Sequence, residues 1–171
     1  MTNHRLIVLT SVTFFACSGA NQNDSGSNSL ETDSNPSCID VPDSLHLAWP
    51  LSIQVPTNWV VTNYQDLDPT TSTEDYTGNS RELAKTYDGH TGTDISISSF
   101  RTMDTGVPVL AAAGGTVEWV LEDFEDRHTS CINYDANVVS VRHPSGHLLH
   151  YVHLRRNSVV VEVGDTVVAG D

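Results

Sequence analysis

A histidine and an aspartate stand four residues apart in the stretch TYDGHTGTD, Thr86 to Asp94. Imidazole nitrogen and carboxylate oxygen are both zinc donors, and a catalytic zinc takes three protein ligands and a water. His90 and Asp94 are therefore candidates for part of a metal site, provided their side chains converge. A helix would put i and i+4 on one face, but Gly89, Thr91, Gly92 and Thr93 are poor helix formers. A fully extended strand would hold the two side chains roughly 13 Å apart, too far for one ion whose ligands lie about 2 Å away. The chain must bend between them, and Gly89 and Gly92 permit a bend because glycine tolerates angles that other residues avoid. By spacing alone, a His and an Asp in such a loop are more often turn residues than ligands.

The elements that would position this pair read as strands and turns. LSIQV is a short strand candidate ended by Pro56, and NYQDLDPTTSTEDYTGNSRELAKT is loop-like, with room for one helical turn at RELAK. Beyond Asp94 the β signals strengthen. ISISSF alternates, VPVLAAA is a run of small and branched residues, and Gly114–Gly115 marks a tight turn. TVEWVL alternates with Val117, Trp119 and Leu121 on one face. NVVSVRH, the turn PSG and HLLHYVHL form a hairpin pattern, and SVVVEV, Gly164–Asp165 and TVVAG form another. No useful helical period occurs in this half. The expected fold is mainly β, an antiparallel sheet domain. The three tryptophans Trp49, Trp59 and Trp119 are read as core or edge packing, and the acidic LEDFED as a solvated loop.

Four segments in this order resemble the lysostaphin/LytM-type zinc metalloendopeptidases. HTGTD fits their H-x-G-x-D motif, and DTGVPVLAAAGGTV is similar to their G-x-P-V-x-A-A-x-G-x-V strand and turn. VVSVRHPSGHLLHYVHL is similar to their V-V-x-x-H-x-x-G…Y-x-H-L hairpin, and VEVGDTVVAGD to their V-x-x-G-D-x-V-x-x-G turn. The resemblance covers about Tyr87 to Asp171, and NYQDLDP…DY…TYDGH resembles the lead-in of one proteobacterial branch. It implies the duplicated hybrid motif architecture, a zinc cofactor and peptide hydrolysis in peptidoglycan. It makes His90 and Asp94 two zinc ligands and His153 the catalytic histidine that is not a ligand, with Tyr151 packing beside the site. The third ligand and a second catalytic histidine belong to an H-x-H motif after a further strand, and these 171 residues do not contain it. The resemblance thus implies a domain incomplete at its C-terminus and weak or no activity from these residues alone. A substitute donor from His147 is conceivable; His143, His128 and His46 carry no ligand role. The alternatives are a non-catalytic LytM-like domain that binds cell wall or activates other hydrolases, and an extracellular β module without metal.

Composition bounds the setting. A net charge of −14 and a pI near 4.6 argue against nucleic acid, since the surface would repel phosphates. Five of the eight histidines fall between His128 and His153, so their enrichment is local. MTNHR followed by LIVLTSVTFFA reads as an export signal, its apolar run too short to span a bilayer. Ala16-Cys17-Ser18-Gly19 is similar to a bacterial lipobox, in which Cys17 would be lipidated; ordinary secretion and a buried amphiphilic helix are the alternatives. The organisation expected is 1–17 signal, 18–40 polar tether with too little apolar surface to fold, 41–86 lead-in segment and 87–171 peptidase domain. In an exported protein Cys38 and Cys131 are candidates for a disulfide, against two unpaired thiols. The expected location is the cell envelope, with peptidoglycan peptide as partner, possible attachment to the membrane and a monomeric state.

Overall fold

The computed structural model describes residues 45–52, 59–79, 83–128 and 135–171. The expected export signal and tether, and with them Cys17, Cys38 and Cys131, lie outside the described residues.

Alternating and branched sequences pair into antiparallel sheets, and WVVTN, which is not among the expected strands, supplies the first strand. Strand β1 (Trp59–Asn63) pairs with β2 (Asp94–Ile97). A second, four-stranded sheet has the order β5-β4-β3-β6, from β3 (Gly115–Leu121), β4 (Val138–Arg142), β5 (Leu148–Val152) and β6 (Thr166–Val167). The mainly β, antiparallel expectation holds. Because β1 comes from the lead-in segment and β2 follows His90, the first sheet joins the two segments on either side of residue 87.

The β4–β5 hairpin is the most regular part. His143 N donates to the His147 carbonyl at 2.8 Å and Gly146 takes a φ of 88°, so the PSG turn closes tightly. Val139 pairs with Tyr151 and Val141 with Leu149, and all four are buried. They pack with Leu51, Ile95, Val107, Val109, Val117 and Leu154 in one apolar core. Each such buried side chain contributes about 1.5–3 kcal/mol. Gly115 is required by sheet packing, because a Cβ there would collide with the Arg142 carbonyl on the neighbouring strand.

Four local expectations are corrected. ISISSF does not continue as a strand: β2 ends at Ile97, and a short helix, α1 (Phe100–Thr105), follows. Ser99 caps it by accepting from Thr102 N at 3.2 Å, and Gly106 closes it at a φ of 102°. Val117, Trp119 and Leu121 do not share one face. A bulge between Val117 and Trp119 breaks the alternation, leaving Val117 buried and Trp119 52% exposed, so Trp119 is not a core residue. SVVVEV forms no strand, because Val159 N is taken by the Glu122 carboxylate and Glu162 N by Asp165; only the two residues of β6 pair with β3. VPVLAAA and Leu51 meet at an isolated bridge, Leu51 to Val109, rather than in a regular ladder. The segment 108–112 still exchanges backbone bonds with 48–52 on one side and with Gly170 and Asp171 on the other.

Candidate metal and catalytic site

His90 and Asp94 lie at the start of β2, where the chain leaves a turn. Gly89 adopts a φ of 74°, the left-handed conformation that only glycine enters without strain. That turn sets the direction in which His90 leaves the loop, and the chain bends again at Gly92, between the two residues. His90 Nε2 lies 3.4 Å from Asp94 Oδ1, so the required bend is present at Gly92.

The surroundings set the chemistry of each donor. His90 is 3% exposed, and its Nδ1 lies 2.7 Å from the Tyr64 carbonyl oxygen. A carbonyl only accepts, so Nδ1 carries the proton and Nε2 of the neutral ring presents its lone pair. Nε2 is buried and has no hydrogen-bond partner. A buried polar atom left unsatisfied costs free energy, and a lone pair aimed at a carboxylate is what a metal ion would satisfy. Tyr87 stacks on the imidazole, ring centroids 4.4 Å apart at 27°. Burial and the nearby Asp94 charge both raise the Tyr87 phenol above its ordinary pKa. Asp94 Oδ2 accepts from Asn63 Nδ2 at 2.9 Å, which leaves Oδ1 as the oxygen nearer His90.

His153 follows β5 and has a φ of 59°. A non-glycine residue in this region is strained, and such outliers cluster at functional sites. The kink falls one residue after β5 ends at Val152. His153 is exposed, yet partial desolvation by the surrounding protein lowers its pKa, while the Asp94 charge pulls the other way. The Asp94 carboxylate is thus within electrostatic reach of both His90 and His153. On the next residue the chain is clamped: Leu154 N donates to the Asn137 carbonyl at 3.1 Å. Tyr151 is buried, and its hydroxyl accepts from Ala112 N at 2.7 Å.

The other histidines have their own local settings. Ser145 Oγ sits 2.7 Å from His143 Nδ1 and 2.8 Å from His147 Nδ1, so His147 belongs to the hairpin turn. His150 points to the opposite face and contacts Ser140 Oγ at 2.7 Å. His128 is half-buried rather than solvent-exposed, and His46 is exposed. Among the described residues no group of three or more His, Cys, Asp or Glu side chains is arranged to hold a metal ion. The donors that fit are two, His90 Nε2 and Asp94 Oδ1.

Asn63, Asp66 and Asn137 carry no local signal of their roles: NYQD resembles only a lead-in segment, and no neighbouring residue ties Asn137 to any role.

Residues 88–171 match the model of a family described as Peptidase family M23. No curated protein and no solved structure matches the chain.

Proposed function

We propose, from the match of residues 88–171 to the model of peptidase family M23, whose members are peptidases, generally zinc-dependent and acting on peptidoglycan, that the chain is a lysostaphin-type zinc endopeptidase of the cell envelope. The observation that carries the reading is His90 Nε2: buried, in a ring whose Nδ1 faces the Tyr64 carbonyl, without a hydrogen bond and 3.4 Å from a carboxylate oxygen. His90 and Asp94 would hold zinc. The ion supplies a Lewis acid that polarises the scissile carbonyl. The chain's own groups do the remainder. Partial desolvation favours the neutral His153 imidazole, ready to accept a proton from an attacking water and return it to the leaving amine. Tyr87 holds the His90 ring in plane by stacking on it.

Two protein donors are fewer than the three of a catalytic zinc site. The family resemblance puts the third in an H-x-H motif that these 171 residues do not contain. Slow or absent turnover is therefore expected from these residues alone, and full turnover once a continuation carrying H-x-H is joined to them. No helix of the described residues is long and apolar enough to cross a membrane. Export, a lipid on Cys17, a Cys38–Cys131 disulfide, the division at residue 87 and a monomeric state belong to this proposal.

Purified peptidoglycan incubated with the zinc-loaded extended protein tests it. New amino termini should appear, and His90→Ala should release none; undiminished release by His90→Ala would overturn the ligand assignment. The two-donor count favours one second reading, a non-catalytic domain that binds cell wall. Retention on sacculi with no new amino termini from the extended protein would select it.

A further inference from the structure

The matched family residues begin at 88, yet both candidate ligands are gripped by a segment well before them. We propose that Asn63, the Tyr64 carbonyl and Asp66 form one positioning frame that presets His90 and Asp94 for a metal ion. This deepens the zinc reading above and rests on it.

The frame begins with a register fault. β1 pairs Val61 with Ile95, but Asn63 with Asp94, so the two residues Thr62 and Asn63 oppose the single residue Asp94. A bulge of this kind re-aims a side chain, and bulges favour the neighbourhood of active sites. Here it turns both residues onto Asp94. Thr62 Oγ1 donates to the Asp94 carbonyl at 3.3 Å, and Asn63 Nδ2 donates to Asp94 Oδ2 at 2.9 Å. In regular pairing Asn63 would oppose the residue before Asp94, and this carboxylate contact would be lost. With Oδ2 occupied, Oδ1 is the oxygen held toward His90.

The next residues hold the histidine. The Tyr64 carbonyl accepts from Nδ1–H and so selects the tautomer whose Nε2 offers its lone pair. Asp66 secures the loop from which His90 projects. Its backbone N–H donates to the His90 carbonyl at 2.6 Å, and its Oδ2 accepts from Gly89 N at 3.0 Å. Its other oxygen accepts from Glu74 N at 2.9 Å and Asp68 N at 3.2 Å, so the carboxylate is itself held from two sides. One tetrapeptide thus orients a carboxylate, chooses a tautomer and locks the left-handed turn. Outer partners of metal ligands typically change metal affinity 10–100-fold when removed.

The test compares the wild-type chain with Asn63→Ala, Asn63→Ser and Asp66→Asn. Three quantities are read: melting temperature, the His90 tautomer from two-bond ¹⁵N correlation spectra, and the dissociation constant for Zn²⁺ alone by chelator competition. Wild type should show Nδ1–H at His90. Asn63→Ala and Asn63→Ser should keep that tautomer and weaken Zn²⁺ by at least 10-fold. Asp66→Asn should weaken Zn²⁺ similarly and give a mixture of tautomers. The serine variant covers the case in which alanine does not fold. Folded variants that bind Zn²⁺ within twofold of wild type overturn the frame. If wild type takes up no zinc, the metal reading fails by itself. The frame is then judged by tautomer: Nε2–H in wild type, or an unmixed Nδ1–H in folded Asp66→Asn, overturns it.

Discussion

Asn137 and Leu154 clasp one another. Leu154 N donates to the Asn137 carbonyl at 3.1 Å, and Asn137 Nδ2 donates back to the Leu154 carbonyl at 2.9 Å. The same amide accepts from Phe124 N at 2.9 Å and donates to the Phe124 carbonyl at 3.1 Å. One buried side chain thus ties the acidic loop after β3 to the residue following His153. Asn137→Ala should cost about 2–3 kcal/mol, because it strips partners from backbone groups that are enclosed. Asn137→Asp should also be destabilising, since a carboxylate cannot donate to the Phe124 and Leu154 carbonyls. Urea unfolding of both variants checks this; an unchanged midpoint would mean the clasp is dispensable.

The strain at His153 gives a prediction in which stability and function part company. A histidine at a φ of 59° is held against its preference, at a cost on the order of 1–3 kcal/mol. Asparagine enters this region more readily. His153→Asn should therefore melt at the same temperature as wild type or higher, while peptidoglycan hydrolysis by the extended protein falls at least 100-fold. A variant that loses stability and keeps activity would contradict both the strain and the assigned role.

Stability should fall on acidification, in two stages. Burial lowers the pKa of His150 and His153 below the ordinary 6.5. The unfolded chain therefore binds more protons just below that pH. The benefit of keeping these rings neutral is fully present above 6.5 and is lost as pH falls through their folded-state values. Asp66 and Asp75 are lowered in the folded state, Asp66 chiefly by the Glu74 N–H and Asp75 chiefly by the Thr77 hydroxyl. Their contribution is present above the ordinary carboxylate range and is lost as pH drops through their depressed values. The urea midpoint should be level above pH 7, decline as pH falls below about 6.5, and decline again below about 4. His150→Gln should flatten the first decline. A midpoint that rises from pH 7 to 5.5 would contradict the assignment.

The site was legible in the sequence where chemistry is local, and hidden where it depends on distant segments. HTGTD declared two donors and the glycine between them, and the chain does bend at Gly92. The β4–β5 hairpin was legible because its alternation and its PSG turn agree. The β3 face was misread at one residue, since a bulge after Val117 depends on pairing with β4 rather than on the composition of TVEWVL. α1 was missed because ISISSF alternates through Phe100, and the cap at Ser99 and stop at Gly106 bound only six residues. Asn63 and Asp66 could not be assigned from their own neighbourhood. Their partners Asp94 and Gly89 lie 31 and 23 residues away, and only the β1–β2 register brings them together.

The central claim is that His90 and Asp94 jointly hold a zinc ion, and a zinc titration of metal-stripped protein against a chromophoric chelator tests it most directly. The extended protein should take up about one Zn²⁺ per chain, and His90→Ala and Asp94→Ala in it should each weaken that uptake at least 10-fold. Equal zinc affinity in the extended protein and in both folded variants would contradict it.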